Sequence, residues 1–139
     1  MLVLCGCGTV NPGQDIQFAQ ITYEQAYFYC EVEPMLFDQG CGPGKSGTDP
    51  PAGCHFNNTA FRLSDHMPIP CKNGEPQALI GTEAQNNYRV ASTEMSPDPS
   101  LSQLLRRPTK QAAHPREIFD DKSPQADLIR TWGTKYTSQ

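Results

Sequence analysis

Cys41-Gly42-Pro43-Gly44-Lys45-Ser46-Gly47-Thr48-Asp49-Pro50-Pro51-Ala52-Gly53-Cys54-His55 is the stretch on which the reading of this chain turns. Two thiols and an adjoining imidazole form a set that can hold haem covalently: the thiols add across the vinyl groups, and the histidine binds iron from one face. The common arrangement leaves two residues between the cysteines. Here Gly42 to Gly53 intervene, a Gly/Pro loop with no core residue of its own. Loop closure grows costly only slowly with length. Glycines 40, 42, 44 and 53 permit the tight turns that bring the two ends together.

The 139 residues suit one domain with a modest core. With 13 prolines, 11 glycines and 37% hydrophobic residues, that core is thin and calls for a staple: a disulfide, a metal or a buried cofactor. A formal net charge of −4, with Arg106-Arg107 the only adjacent basic pair, argues against a nucleic-acid partner. The cysteines are Cys5, Cys7, Cys30, Cys41, Cys54 and Cys71, and in an oxidising compartment most should be bonded. Leu4-Cys5-Gly6-Cys7 resembles the end of a bacterial lipoprotein signal, with a small residue before a lipid-modified Cys7; the following Gly8-Thr9-Val10-Asn11-Pro12-Gly13 reads as a tether. Residues 1–15 are therefore assigned to signal remnant and tether, and 16–136 to the domain. That places the chain on the periplasmic side of a bacterial envelope, held to the membrane by lipid. No stretch is long enough to span a bilayer.

From Asp15 to Gln39 the pattern is helical, with Ile21, Phe28, Val32 and Leu36 on one stripe, flanked by Tyr27 and Met35. Thr22 is the expected cap, with Gln25 three residues on. Pro34 has no N–H to give the preceding turn, so two short helices are predicted, about 22–32 and 34–39, the second ended by Gly40. Residues 66–77 read as irregular, broken by Pro68, Pro70, Gly74 and Pro76. Ala78-Leu79-Ile80 and Tyr88-Arg89-Val90 read as short strands or turns. Pro99 to Leu105 reads as a short helix capped by Asp98 or Ser100, with Leu101, Leu104 and Leu105 inward. The last helix begins with Ser123 as cap and Pro124 in the first position, burying Ala126, Ile129 and Trp132, with Leu128 beside them.

Val32-Glu33-Pro34-Met35-Leu36 ahead of Cys41 and Cys54-His55 resembles the opening of a class of c-type cytochromes found in planctomycete-like and myxobacterial-like proteins. Phe61-Arg62-Leu63, Ser102-Gln103-Leu104-Leu105-Arg106-Arg107-Pro108, His114 and the ending Trp132-Gly133 resemble that family's later segments, so the similarity runs from about 23 to 133. The resemblance implies a small, loop-rich all-α cytochrome c-like fold with haem c on Cys41 and Cys54. His55 would be the proximal iron ligand. The distal ligand would be His114, with Met95 the main alternative and Met67 or His66 further ones. The bland reading of each remains core filler for a methionine and a polar surface site for a loop histidine. The function implied is a monohaem electron carrier or relay subunit, working with redox protein partners or a membrane electron-transfer complex. It is not an enzyme.

Cys30 and Cys71 have no haem role in that scheme and suit a disulfide tying the first helix to the irregular middle. The alternative dispenses with haem: Cys30, Cys41, Cys54 and Cys71 form two disulfides, in any of three pairings, and the chain is a stapled lipoprotein with a structural or protein-interaction role. A zinc site lacks the close cysteine pairs it needs. Gly42-Pro43-Gly44-Lys45-Ser46-Gly47 lacks the spacing and preceding strand of a phosphate loop. Glu31, Glu33 and Asp38 read as a solvated helix face. Asn57-Asn58-Thr59 matches a glycosylation sequon, which carries little weight in a bacterial lipoprotein.

Overall fold

Ile21-Thr22-Tyr23 is β-branched and aromatic, and it forms a strand, not the first helical turn. In the computed structural model, which describes residues 20–42, 55 and 60–139, β1 (Ile21–Tyr23) pairs antiparallel with β4 (Tyr136–Ser138), Ile21 opposite Ser138 and Tyr23 opposite Tyr136. The two ends of the described chain are thereby sewn together, with Glu24 N–H donating to the Lys135 carbonyl at 2.8 Å. Thr22 is a strand residue, and the following helix starts after Glu24 without a side-chain cap.

α1 (Gln25–Tyr27), a π-helical turn (Phe28–Val32) and α2 (Glu33–Asp38) follow one another directly. The break expected at Pro34 is a widened turn instead. The Glu33 N–H donates to the Phe28 carbonyl, five residues back, so the helix loosens just before the proline ring and runs on. α2 ends as the sequence predicts. Gly40 takes φ +69°, its N–H reaches the Phe37 carbonyl at 3.0 Å, and the Cys41 N–H reaches the Leu36 carbonyl at 2.9 Å. This is a Schellman stop, and it turns Cys41 back into the core.

β2 (Cys71–Lys72) and β3 (Glu75–Pro76) make a hairpin in the stretch expected to be irregular. Its two-residue loop, Asn73 at φ 54° and Gly74 at φ 79°, has the positive angles a primed turn requires. α3 (Thr82–Thr93) replaces the short strand or turn expected at Tyr88-Arg89-Val90; its buried positions are Ala84, Asn87 and Ala91, small or polar, so no apolar stripe announces it. The segment from Pro99 divides into a 3₁₀ turn (Pro99–Leu101), capped by the Asp98 carboxylate, and α4 (Gln103–Arg106). Leu104 and Leu105 are buried there, while Leu101 is exposed. α5 (Pro124–Thr134) starts as predicted, with the Ser123 hydroxyl accepting from the Ala126 N–H.

The core is centred on Trp132, which packs on Phe28, Tyr23 and Tyr88 with ring centroids 5.0–6.1 Å apart. Its indole N–H donates to the Glu24 carbonyl at 2.9 Å, and the Tyr88 hydroxyl donates to the Tyr23 carbonyl at 2.6 Å. Cys30 and Cys71 form a disulfide, which fastens the π turn to the hairpin. The architecture is mixed α/β, with two small antiparallel sheets. That corrects the all-α cytochrome c-like expectation, and the physical reason is long-range pairing of short β-forming stretches at the chain's ends and around Asn73-Gly74. The lipoprotein-like start with Cys5 and Cys7, the loop to Cys54 and the sequon lie outside the described residues.

Candidate functional site

Three of the residues singled out from sequence do meet. The Schellman stop after α2 buries Cys41, and the Leu63 N–H donates to the His55 carbonyl at 3.1 Å, holding that residue beside Phe61. The His55 ring meets Phe61 edge-on at 5.0 Å, and its centroid lies 6.1 Å from that of His114. His114 Nδ1 donates to the Arg116 carbonyl at 2.5 Å. Cys41, His55 and His114 line one predominantly apolar cavity of about 40 Å³, with Leu36, Leu104 and Ile118 among its walls. Burial holds the His55 pKa below the ordinary histidine value, and the nearby His114 and Arg107 push the same way, against a backbone hydrogen bond at Phe61 and the Glu94 carboxylate. Arg107 and Glu94 also face each other, 3.6 Å apart. Met95 packs elsewhere, its methyl group against the α5 backbone at Gly133. Met67 is 73% exposed.

This geometry overturns the haem c reading. Among the described residues no group of three or more His, Cys, Asp or Glu side chains is arranged to hold a metal ion. The surrounding fold is mixed α/β and not the helical shell that reading requires, and Cys30 and Cys71 form the disulfide expected of them. The resemblance to c-type cytochromes, the electron-carrier function and the haem cofactor drawn from it are corrected accordingly. No helix among the described residues is long and apolar enough to cross a membrane.

A second constellation went unread in the sequence. Glu33 is 1% exposed and not part of the solvated face that its sequence position suggests, whereas its neighbours Glu31 and Asp38 are in water. The π turn rotates the start of α2 so that Glu33 follows Val32 inward. Its Oε1 accepts from Asn87 Nδ2 of α3 at 2.9 Å and meets His66 Nε2 at 2.8 Å. The other ring nitrogen, Nδ1, lies 2.7 Å from the Met67 carbonyl. Asn87 also grips Ser64 at both ends, accepting from its N–H at 2.6 Å and donating to its carbonyl at 3.0 Å. The hydrogen bond to Glu33, followed by its negative charge, raises the His66 pKa above the ordinary value against the cost of burial. Glu33 Oε2 and the Tyr29 hydroxyl are buried without a hydrogen-bond partner among the described residues. The Tyr29 pKa is pushed up to about 12, first by burial and then by the Glu33 charge. The only sequence signal for this network was a glutamate beside a proline at a helix restart, which is not diagnostic.

No family model, no curated protein and no solved structure matches this chain.

Proposed function

We propose that the chain is a disulfide-stapled domain of the bacterial cell envelope with a structural or protein-interaction role, tethered through lipid on Cys7. The Cys30–Cys71 bridge carries the reading: it joins segments 41 residues apart, and bridges of this kind persist where the compartment is oxidising. The thin, proline-rich composition needs such a staple, and Leu4-Cys5-Gly6-Cys7 supplies the tether. Met67 and Leu79, at 73% and 99% exposure, are large apolar side chains left in water beside the hairpin, which suits a contact role over a purely internal one.

The test is the intact mass of the exported chain, carried with its own N-terminus through a periplasm that matures cytochromes c, together with thiol alkylation and an absorption spectrum. The expected product is colourless, has Cys30 and Cys71 protected from alkylation until reduced, and carries an acyl increment that Cys7→Ala removes. Alkylatable Cys30 and Cys71 in the exported protein, or a haem-sized increment with a Soret band, would overturn the reading.

A further inference from the structure

The span from residue 65 to residue 70 is fixed at its two ends by different means. Ser64 is held by Asn87 and Asn86 of α3, and Cys71 is held by the disulfide. Between them run Pro68 and Pro70, which have no N–H to give. Among the described residues the backbone of 65–69 makes no backbone hydrogen bond, the first being the Pro70 carbonyl, which accepts from Gln77. Two side chains fasten the middle: Ile69 packs against the core, and His66 makes the polar contacts. His66 presents each ring nitrogen to an oxygen, Nδ1 to the Met67 carbonyl and Nε2 to Glu33. A carbonyl oxygen only accepts, so Nδ1 must carry its proton. The contact between Nε2 and Oε1 then needs a second one, lying between imidazole and carboxylate.

We propose that this shared proton operates a latch: while it is present, the 65–70 span is closed onto α2 and α3, and when it leaves, the span opens. Without it the one remaining ring proton serves either Glu33 or the Met67 carbonyl, and the other nitrogen turns a lone pair on an oxygen, so one of the two contacts is lost. The groups facing the ring all favour the proton or are neutral: Glu33 from α2, Asp65 on the span itself, and Glu83 of α3 on the same groove. Asn87 of α3 and the Phe37 ring, 5.5 Å away edge-on, are uncharged. Tyr29 of the π turn lies near Glu33 and keeps its proton far into the alkaline range. The part that moves carries Met67, one wall of the groove shared with Leu79. The latch stands apart from the envelope role proposed above, since it rests on the Glu33–His66–Met67 geometry alone.

The test is nitrogen-15 NMR of the histidine rings in the full chain across pH, combined with amide-exchange protection factors for Ser64 and Gln77, whose N–H groups are hydrogen-bonded at the two ends of the span. The latch predicts that both His66 nitrogens are protonated at low pH and titrate together above the ordinary histidine value. It also predicts that protection of the span falls as that proton leaves, about tenfold for each unit by which the titration point exceeds the ordinary one, while protection in α3 at Ala91 holds. In Glu33→Gln the step should vanish with α3 still protected. If that variant does not fold, His66→Gln serves the same comparison. A wild-type His66 that titrates at or below the ordinary value, or span protection that does not change through its titration, overturns the latch.

Discussion

His55 and His66 belong to neighbouring stretches of the chain, and α2 serves both, yet their surroundings drive them in opposite directions. Near the end of α2, Leu36 and Cys41 border the apolar cavity where His55 sits, and burial there favours the neutral ring. At the start of α2, Glu33 meets His66 and favours the charged one. The signs follow from linkage. The folded pKa of His66 is raised above 6.5, so its contribution to stability is fully present below that value and is lost as pH rises through the folded pKa. The folded pKa of His55 is lowered, so its contribution is fully present above 6.5 and is lost as pH falls through the folded pKa. His66 produces the fall in stability on the alkaline side of a maximum, and His55 the fall on the acid side. The difference teaches that a histidine's role in this fold is set by the helix residue it meets: a carboxylate in one case, a leucine and a thiol in the other.

The largest effect should come from the latch side. Replacing both cysteines, Cys30→Ala with Cys71→Ala, releases one end of the 65–70 span and a long closed loop, with a cost of about 4 kcal/mol in chain entropy, read as a lower urea midpoint. His55 should keep its depressed pKa in that variant. A His55 resonance that moves as far as that of His66 would show that the two regions are one cooperative unit and end the comparison. Next is Phe61→Ala on the cavity side, about 3 kcal/mol for a buried phenyl ring. It should let His55 rise toward the ordinary value while His66 stays where it is. A shift of both, or of neither, contradicts the division.

How far the sequence foretold these two regions differs with the range of the interactions. Ser123, Pro124, Ala126, Ile129 and Trp132 were legible because a cap, a first-turn proline and a helical stripe are local signals, and α5 matches them. Gly40 was legible for the same reason. The meeting of Cys41, His55 and His114 follows from a resemblance, and the three do share a cavity, but the described residues hold no metal-binding cluster and the fold around them is mixed α/β. β1 was mistaken for helix because its partner, Tyr136 to Ser138, lies at the far end of the chain. Asn73-Gly74 is itself a local hairpin signal, because both residues tolerate the positive φ of a primed turn. α3 was invisible to a search for apolar stripes, because its inward positions are Ala84, Asn87 and Ala91. The Glu33 network depends on a π turn, and nothing in Phe28 to Val32 marks where a helix will widen.

Smaller effects separate the two histidines most sharply. Glu33→Gln keeps the shape and the Asn87 contact but takes away the charge that holds His66 protonated; about 2 kcal/mol should be lost below the His66 titration point. The variant should also lose the decline in stability on the alkaline side, because there is no longer a raised pKa to titrate. A variant that is destabilised equally at every pH would make Glu33 a packing residue only.

The mildest test leaves the protein unaltered and follows its thermal midpoint from about pH 5 to 8, the range in which histidine titrates. The two opposed shifts predict a maximum near the ordinary histidine value, with stability falling on both sides. His66→Gln should flatten the alkaline limb and leave the acid limb in place. His55→Gln should do the reverse, because a ring that cannot be protonated has nothing to lose as pH falls. A midpoint that only rises with pH would leave His66 without a role in stability, since the acid limb alone has that form. One that only falls would say that water reaches His55 in the folded state, and that the apolar cavity does not shield it.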